Sequence, residues 1–257
     1  MEKQKILFIT TQLPFPPKSG GTVKSWNYVQ FLAQNYDLSI ATLLKDEDET
    51  HEKDFQKAIR LSQYLSEKVQ IPRTALNLLK SYRSAPSLNV FRNASATFRE
   101  NLAQLIVGKD ALIIDHYEVF QYAPKQFKGK VVMHTHNAEF MLWQRMSELT
   151  SNPIKKIILK LEARRVKAYE KETFRRSDLV YSTPSDIELY LNHGFDVTKH
   201  RVTYHLGNDT LLNLADLDFH QTKKAITFIG TLSWEPNIDG IVWFLESVWP
   251  SILEKHN

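Results

Sequence analysis

Short apolar runs alternate with amphipathic stretches from one end of the chain to the other. The runs at 6–10, 38–44, 69–71, 111–115, 131–135, 179–182, 202–204 and 225–230 have the near-continuous hydrophobicity of strands covered on both faces. Apolar positions at helical spacing fill most of the intervals, at 22–34, 49–66, 93–107, 138–148, 153–175 and 185–192. Strand–helix alternation of this kind predicts an α/β fold: a Rossmann-like, doubly wound, mostly parallel sheet. In such sheets ligands bind outside the carboxyl ends of the strands, so the residues that follow each strand are the ones to read for chemistry.

The periodicity lapses over 210–224, which predicts a linker between an N-terminal domain at 1–209 and the opening of a second domain at 225–257. The second part reads as a single βα unit: a strand from Ala225, then Gly230, a loop with Pro236 and Asn237, and a helix at 238–254. One such unit cannot cover Ile241, Trp243, Phe244, Val248 and Trp249. The expectation is that this helix docks on the first domain or that the natural protein is longer.

Composition is that of a folded globular protein, 42% hydrophobic and 24% charged. Without cysteine, disulfides and cysteine-based zinc sites are excluded. Met1–Lys5 leads directly into the first strand without a signal-peptide pattern, and no run of about 18 apolar residues occurs. A cytoplasmic protein is expected. The net charge of +4 is unevenly placed: nine cations and three glutamates at 155–176 make that segment +6 and leave −2 elsewhere. Asn152-Pro153 is a helix-start signal, and Lys155, Lys156, Lys160, Arg164 and Arg165 surround apolar residues at helical spacing. That pattern suits either an anionic membrane surface, giving peripheral association at the inner face, or a core helix with a solvated basic face. No nucleic-acid module accompanies the charge, so nucleic acid is not an expected partner.

The first strand runs through Leu13-Pro-Phe-Pro-Pro-Lys-Ser-Gly-Gly21 into a helix expected from Thr22. Gly20 and Gly21 are read as a tight turn with bare N–H groups at a helix N-terminus, a place that favours phosphate, or as a ligand-free βα turn. The fourth strand delivers Asp115 and His116, an acid–base pair or a set of groups for sugar hydroxyls. The fifth delivers His134 and His136. Strand alternation should turn these two to opposite faces, so they are not expected to share a metal. His136, at the carboxyl end, could donate to a substrate, move a proton, or cap and pack beneath the next helix. Asn137 is the expected N-cap of that helix, with Glu139 in its first turn. Asp46–Glu49 reads as a solvated acidic loop. No serine-nucleophile motif or HExxH is present, and no metal is expected.

The stretches KILFITTQLPFPPKSGGTVKSWNYVQFLAQNYDLSIATL, HTHNAEFMLWQRM, LEARRVKAYEKETFRRSDLVYSTPSDIELYL and ITFIGTLSWEPNIDGIVWFLESVWPSI resemble successive blocks of bacterial family 4 glycosyltransferases. The resemblance implies the N-terminal half of a GT-B fold, two Rossmann-like domains facing across a cleft. The first binds a glycan or lipid-linked acceptor and the second a nucleotide-sugar donor. It implies that Gly20 and Gly21 approach the donor phosphates and acceptor, that His136 lies near the transferred sugar, and that Gly230 opens the donor domain beside the diphosphate. It also implies retaining hexosyl transfer in cell-surface polysaccharide synthesis without cofactor or catalytic metal. The family's donor motif, two glutamates separated by seven residues, falls beyond the first βα unit of the second domain. Residues 1–257 alone are therefore expected to bind little nucleotide sugar and not to turn over. The alternatives are a non-catalytic glycan- or lipid-binding module, and an epimerase or phosphorylase on the same two-domain plan.

Overall fold

The computed structural model describes residues 3–46, 48–204, 212–215, 225–230, 232 and 235–256. The chain divides into two compact units, Met1–Leu206 and Gly207–Asn257.

The first unit holds a seven-stranded sheet: β1 (Lys5–Thr10), β2 (Asp37–Leu44), β3 (Gln63–Lys68), β4 (Ala111–Asp115), β5 (Lys130–His134), β6 (Leu179–Ser182) and β7 (His200–Val202). All pairings are parallel, in the order β3-β2-β1-β4-β5-β6-β7. The order reverses between β1 and β4, which makes their carboxyl ends the topological switch point of a Rossmann-like sheet. Eight helices flank the strands: α1 (Gly20–Asn35), α2 (Glu52–Ala58), α3 (Ala75–Ser84), α4 (Leu88–Arg92), α5 (Ala96–Leu105), α6 (Glu139–Leu149), α7 (Pro153–Arg176) and α8 (Pro184–Asn192). A short 3₁₀ turn, Tyr117–Tyr122, follows β4. The central strands are covered on both faces, with Phe8, Ile40, Trp26 and Phe55 on one side and Leu7, Ile114, Phe120 and Val180 on the other. Burying each large apolar side chain contributes roughly 1.5–3 kcal/mol.

Most elements follow the periodicity. The stretch 49–66, expected to be one helix, instead breaks after Ala58 and re-enters the sheet as β3. β3 is an edge strand whose partial burial gives it no continuous apolar run, and it ends just before the strand expected at 69–71. The helix expected at 93–107 is α5 alone, preceded by the separate turn of α4, and α3 lies where no element was expected. β7 comes two residues earlier than expected.

In the second unit, residues 225–230 form no strand. They are exposed, and an isolated strand has no neighbour to satisfy its backbone groups. The helix there starts at Glu235, passes through a π turn at Phe244–Val248 and ends at His256. A Cβ on Gly230 would meet the Phe228 ring at 2.6 Å. Most of the expected linker, including 216–224, lies outside the described residues.

Candidate functional site

Register assembles the site. Thr10, Asp115 and His134 end β1, β4 and β5, and the parallel pairing sets Thr10 beside Asp115 and Asp115 beside His134. Asp115 is fully buried, and its carboxylate is saturated by hydrogen bonds. Thr10 Oγ1 (2.9 Å) and Ser25 Oγ (2.8 Å) donate to Oδ2, while His134 Nδ1 (2.7 Å) and His136 Nε2 (2.8 Å) lie on Oδ1. Burial acts to raise the Asp115 pKa. The neighbouring His136 and His116, with the bonds from His134 and His136, outweigh it and hold the carboxyl well below its ordinary value. An ionised carboxylate only accepts, so each histidine must turn an N–H toward it. For His134, burial lowers the pKa to about 4 despite the bond to Asp115, leaving a neutral ring with its proton on Nδ1.

His134 and His136 therefore do not face opposite ways. The strand ends at His134, alternation lapses, and the chain folds the His136 ring back onto the same carboxylate. His116 completes the cluster from an unusual backbone position, φ +79°, which costs a non-glycine residue on the order of 1–3 kcal/mol. That conformation lays its ring on His136 with centroids 3.7 Å apart and planes 11° off parallel. Burial, and then the electrostatic influence of the neighbouring His136, lower the His116 pKa well below its ordinary value.

With Nε2 committed to Asp115, the atom of His136 left for chemistry is Nδ1. It is buried without a hydrogen-bond partner, in a residue only 7% exposed. It lies under the start of α1, where a Cβ on Gly21 would sit 3.6 Å from it. The helix begins earlier than the sequence suggests. Ser19 is the N-cap in a capping box with Thr22, so Gly20 and Gly21 are the first two helical residues rather than a turn, and neither has positive φ. A Cβ on Gly20 would meet nothing within 4 Å. α1 is tied to the histidine loop by Lys24, a buried residue whose Nζ donates to the Thr135 carbonyl at 2.8 Å. Burial lowers the Lys24 pKa, while Asp115 and Asp186 act against that.

The expected cap of α6 is also different. Ala138 is its N-cap position, and Asn137 is exposed, its amide bonding Glu139 at 3.4 Å. Distant carboxylates take the free N–H groups instead: Asp186 that of Ala138, and Glu170 those of Glu139 and Phe140. Glu162 likewise accepts from Leu88 N at the start of α4. Glu162 and Glu170 are separated by seven residues on α7, and their task in this fold is to hold two helix N-termini. Glu139 is pushed up to about 8 by burial and then by the charge of Glu118. A cavity of about 10 Å³, on the order of one water, lies among His116, His136, Asn137, Glu139 and Glu170.

Asp115, His134 and His136 also offer ligand atoms within 4.8 Å of one another, a donor set that would suit a divalent transition metal. The sequence pointed to Asp115, His116, His136 and the glycines. It gave no notice of Thr10, Ser25 and Lys24, which look like ordinary strand-end and helix residues until register brings them together.

On α7, Lys155, Lys160 and Arg164 are exposed beside exposed Ile154, Ile157 and Leu161, and Lys156 is half-buried. Arg165 is not part of that surface. It pairs with buried Glu162, donates to the carbonyls of Ser81 (2.8 Å) and Ala85 (2.9 Å), and lies over the Tyr82 ring. Among the described residues no helix is long and apolar enough to cross a membrane. The acidic loop is solvated, with Asp46 and Glu49 each 3.0 Å from Lys68, and the N-cap of α2 is His51.

No family model matches the chain. An uncharacterized 44.6 kDa protein in the cps region of Klebsiella pneumoniae is 20% identical over 259 residues, which covers 98% of this chain and 62% of that protein. The chain thus spans less than two thirds of this relative. Among solved structures, UGT89C1 of Arabidopsis thaliana in complex with UDP-L-rhamnose aligns with a TM-score of 0.44 and 10% identity, covering 79% of this chain and 49% of that one. UGT2 of Phytolacca americana gives 0.41 and 13%, covering 81% and 54%. A UDP-N-acetylglucosamine 2-epimerase gives 0.39 and 11%, covering 78% and 46%.

Proposed function

We propose that the chain is the acceptor-side half of a GT-B glycosyltransferase that moves a hexose from a nucleotide-sugar donor to a hydroxyl acceptor in cell-surface glycan or polysaccharide synthesis. The observation that carries it is the unpartnered Nδ1 of His136, at the switch point of a Rossmann-like sheet and under a helix N-terminus opened by two glycines. The resemblance to family 4 glycosyltransferases agrees with that placement, and the Klebsiella pneumoniae relative is a cps-region protein.

Sugar transfer must stabilise a leaving diphosphate and positive charge developing on the sugar. The free N–H groups at Gly20 and Gly21 and the positive end of the α1 dipole suit the diphosphate. His136 is the residue assigned to touch the transferred sugar: Asp115 fixes its tautomer, and Nδ1 accepts from a sugar hydroxyl. Asp115 is a positioning residue, since all its donors come from the protein. Retention of anomeric configuration, independence of metal, and a donor domain supplied by the whole gene product are parts of this proposal. So is contact of Ile154, Ile157, Leu161, Lys155 and Lys160 with an anionic membrane surface at the cytoplasmic face.

The test is incubation of the whole gene product with a panel of nucleotide diphosphate sugars and hydroxyl acceptors, followed by mass spectrometry. Release of nucleoside diphosphate with a glycosylated acceptor is expected. Interconversion of the donor sugar without transfer would replace the proposal with an epimerase.

A further inference from the structure

A separate cleft of about 550 Å³ opens along the carboxyl ends of β1, β2 and β3, a volume in the range of small-ligand sites. Three cations line it: Lys45 just after β2, Arg73 between β3 and α3, and Arg92 at the end of α4. Among the described residues none of the three has an ion-pair partner. Their side-chain hydrogen bonds go to neutral oxygens: Lys45 to Gln12 Oε1 (3.3 Å), Arg73 to Asn89 Oδ1 (3.3 Å) and Arg92 Nε to the Ile71 carbonyl (2.7 Å). Three cations that line one concave site without an ion pair are an electrostatic cost in the free protein that a bound anion lowers. The one acid lining the cleft, Glu118, forms no ion pair with any of the three, and its buried Oε2 has no hydrogen-bond partner.

We infer that this cleft is an anion subsite, in which Lys45, Arg73 and Arg92 hold a phosphate or carboxylate group of the acceptor. Arginine forks bind either oxyanion in two-point geometry. The cleft shares the sheet edge with the histidine cluster through Thr11, next to Thr10, and through Glu118 on the turn after His116. An acceptor anchored there by its charge would direct a hydroxyl toward His136. The acceptor role rests on the proposed sugar transfer, whereas the anion site itself does not.

The 257-residue chain would be titrated with inorganic pyrophosphate, methyl glucuronide and methyl glucoside, following arginine Nε–H resonances. Pyrophosphate or glucuronide should bind at least about tenfold more tightly than glucoside, as expected when charged hydrogen bonds are added. Preference for pyrophosphate assigns a phosphate-linked acceptor, and preference for glucuronide assigns an acidic sugar. Lys45→Gln/Arg73→Gln, two exposed positions that leave the core untouched, should weaken that binding by about tenfold or more. Equal affinity for the three probes, or unchanged anion binding in the double variant, would overturn the subsite. Anion binding by a gene product that transfers no sugar would leave the subsite standing and remove only the acceptor role.

Discussion

His136 Nε2 lies 2.8 Å from Asp115 Oδ1, on an oxygen that already faces His134 Nδ1 at 2.7 Å. One carboxylate thereby fixes two imidazoles, and Thr10 and Ser25 occupy its other oxygen. Asp115→Asn would point an amide N–H₂ at groups that are themselves donors. It should destabilise the fold by about 1–3 kcal/mol, the usual cost of leaving a buried polar group unsatisfied. Urea unfolding of the variant beside the wild type measures this. A shift within error would mean that the cluster is not held by the carboxylate.

Gly21→Ala separates folding from access. Alanine in a helix is favoured over glycine by about 1 kcal/mol, so the variant should fold at least as well. Its methyl would sit 3.6 Å from His136 Nδ1, over the atom assigned to the substrate. Stability should hold or rise while turnover of the whole gene product falls. Unaltered turnover would show that substrate approaches from elsewhere.

Two groups, buried His134 and half-buried Glu139, give stability opposite pH slopes. His134 titrates near 4 in the fold, below the ordinary 6.5, because burial disfavours its charged form. The stability of its neutral state is present above about 6.5 and lost as pH falls toward 4. Glu139 titrates near 8, above the ordinary 4.5, so its contribution is full below about 4.5 and lost as pH rises through 8. Glu139→Gln should therefore flatten the decline in unfolding free energy between about pH 5 and pH 8. An unchanged slope in denaturant melts across that range would place the titration on another group.

Chelation bears on the donor set at Asp115, His134 and His136. Their hydrogen bonds to one another satisfy the carboxylate without an ion. Prolonged dialysis against a chelator should leave sugar transfer unchanged. Loss restored by a divalent transition metal would assign that trio to a metal.

The sheet was legible because central parallel strands are apolar throughout, as in Leu7-Phe-Ile and Leu112-Ile-Ile. β3 was not, because an edge strand such as Gln63–Lys68 carries polar residues that also suit a helix. At the site, position after a strand was enough to single out Asp115, His116 and His136. The direction of the His136 ring was not readable, since it depends on where β5 stops, and neither was the positive φ of His116. Thr10, Ser25 and Lys24 come from elements far from 115–136 in the chain, and only the strand register and the seat of α1 bring them together. The same holds for Glu170 and Asp186, which cap α6 in place of the expected Asn137.

The most direct measurement is steady-state sugar transfer by the whole gene product carrying His136→Ala or His136→Gln, with urea midpoints recorded on the same samples. The glutamine amide retains a donor for Asp115 and so guards against a merely structural loss. Both variants should keep the fold and lose turnover by about 10²-fold or more, the scale of a positioned group acting in the transition state. Wild-type turnover in either folded variant would contradict the account.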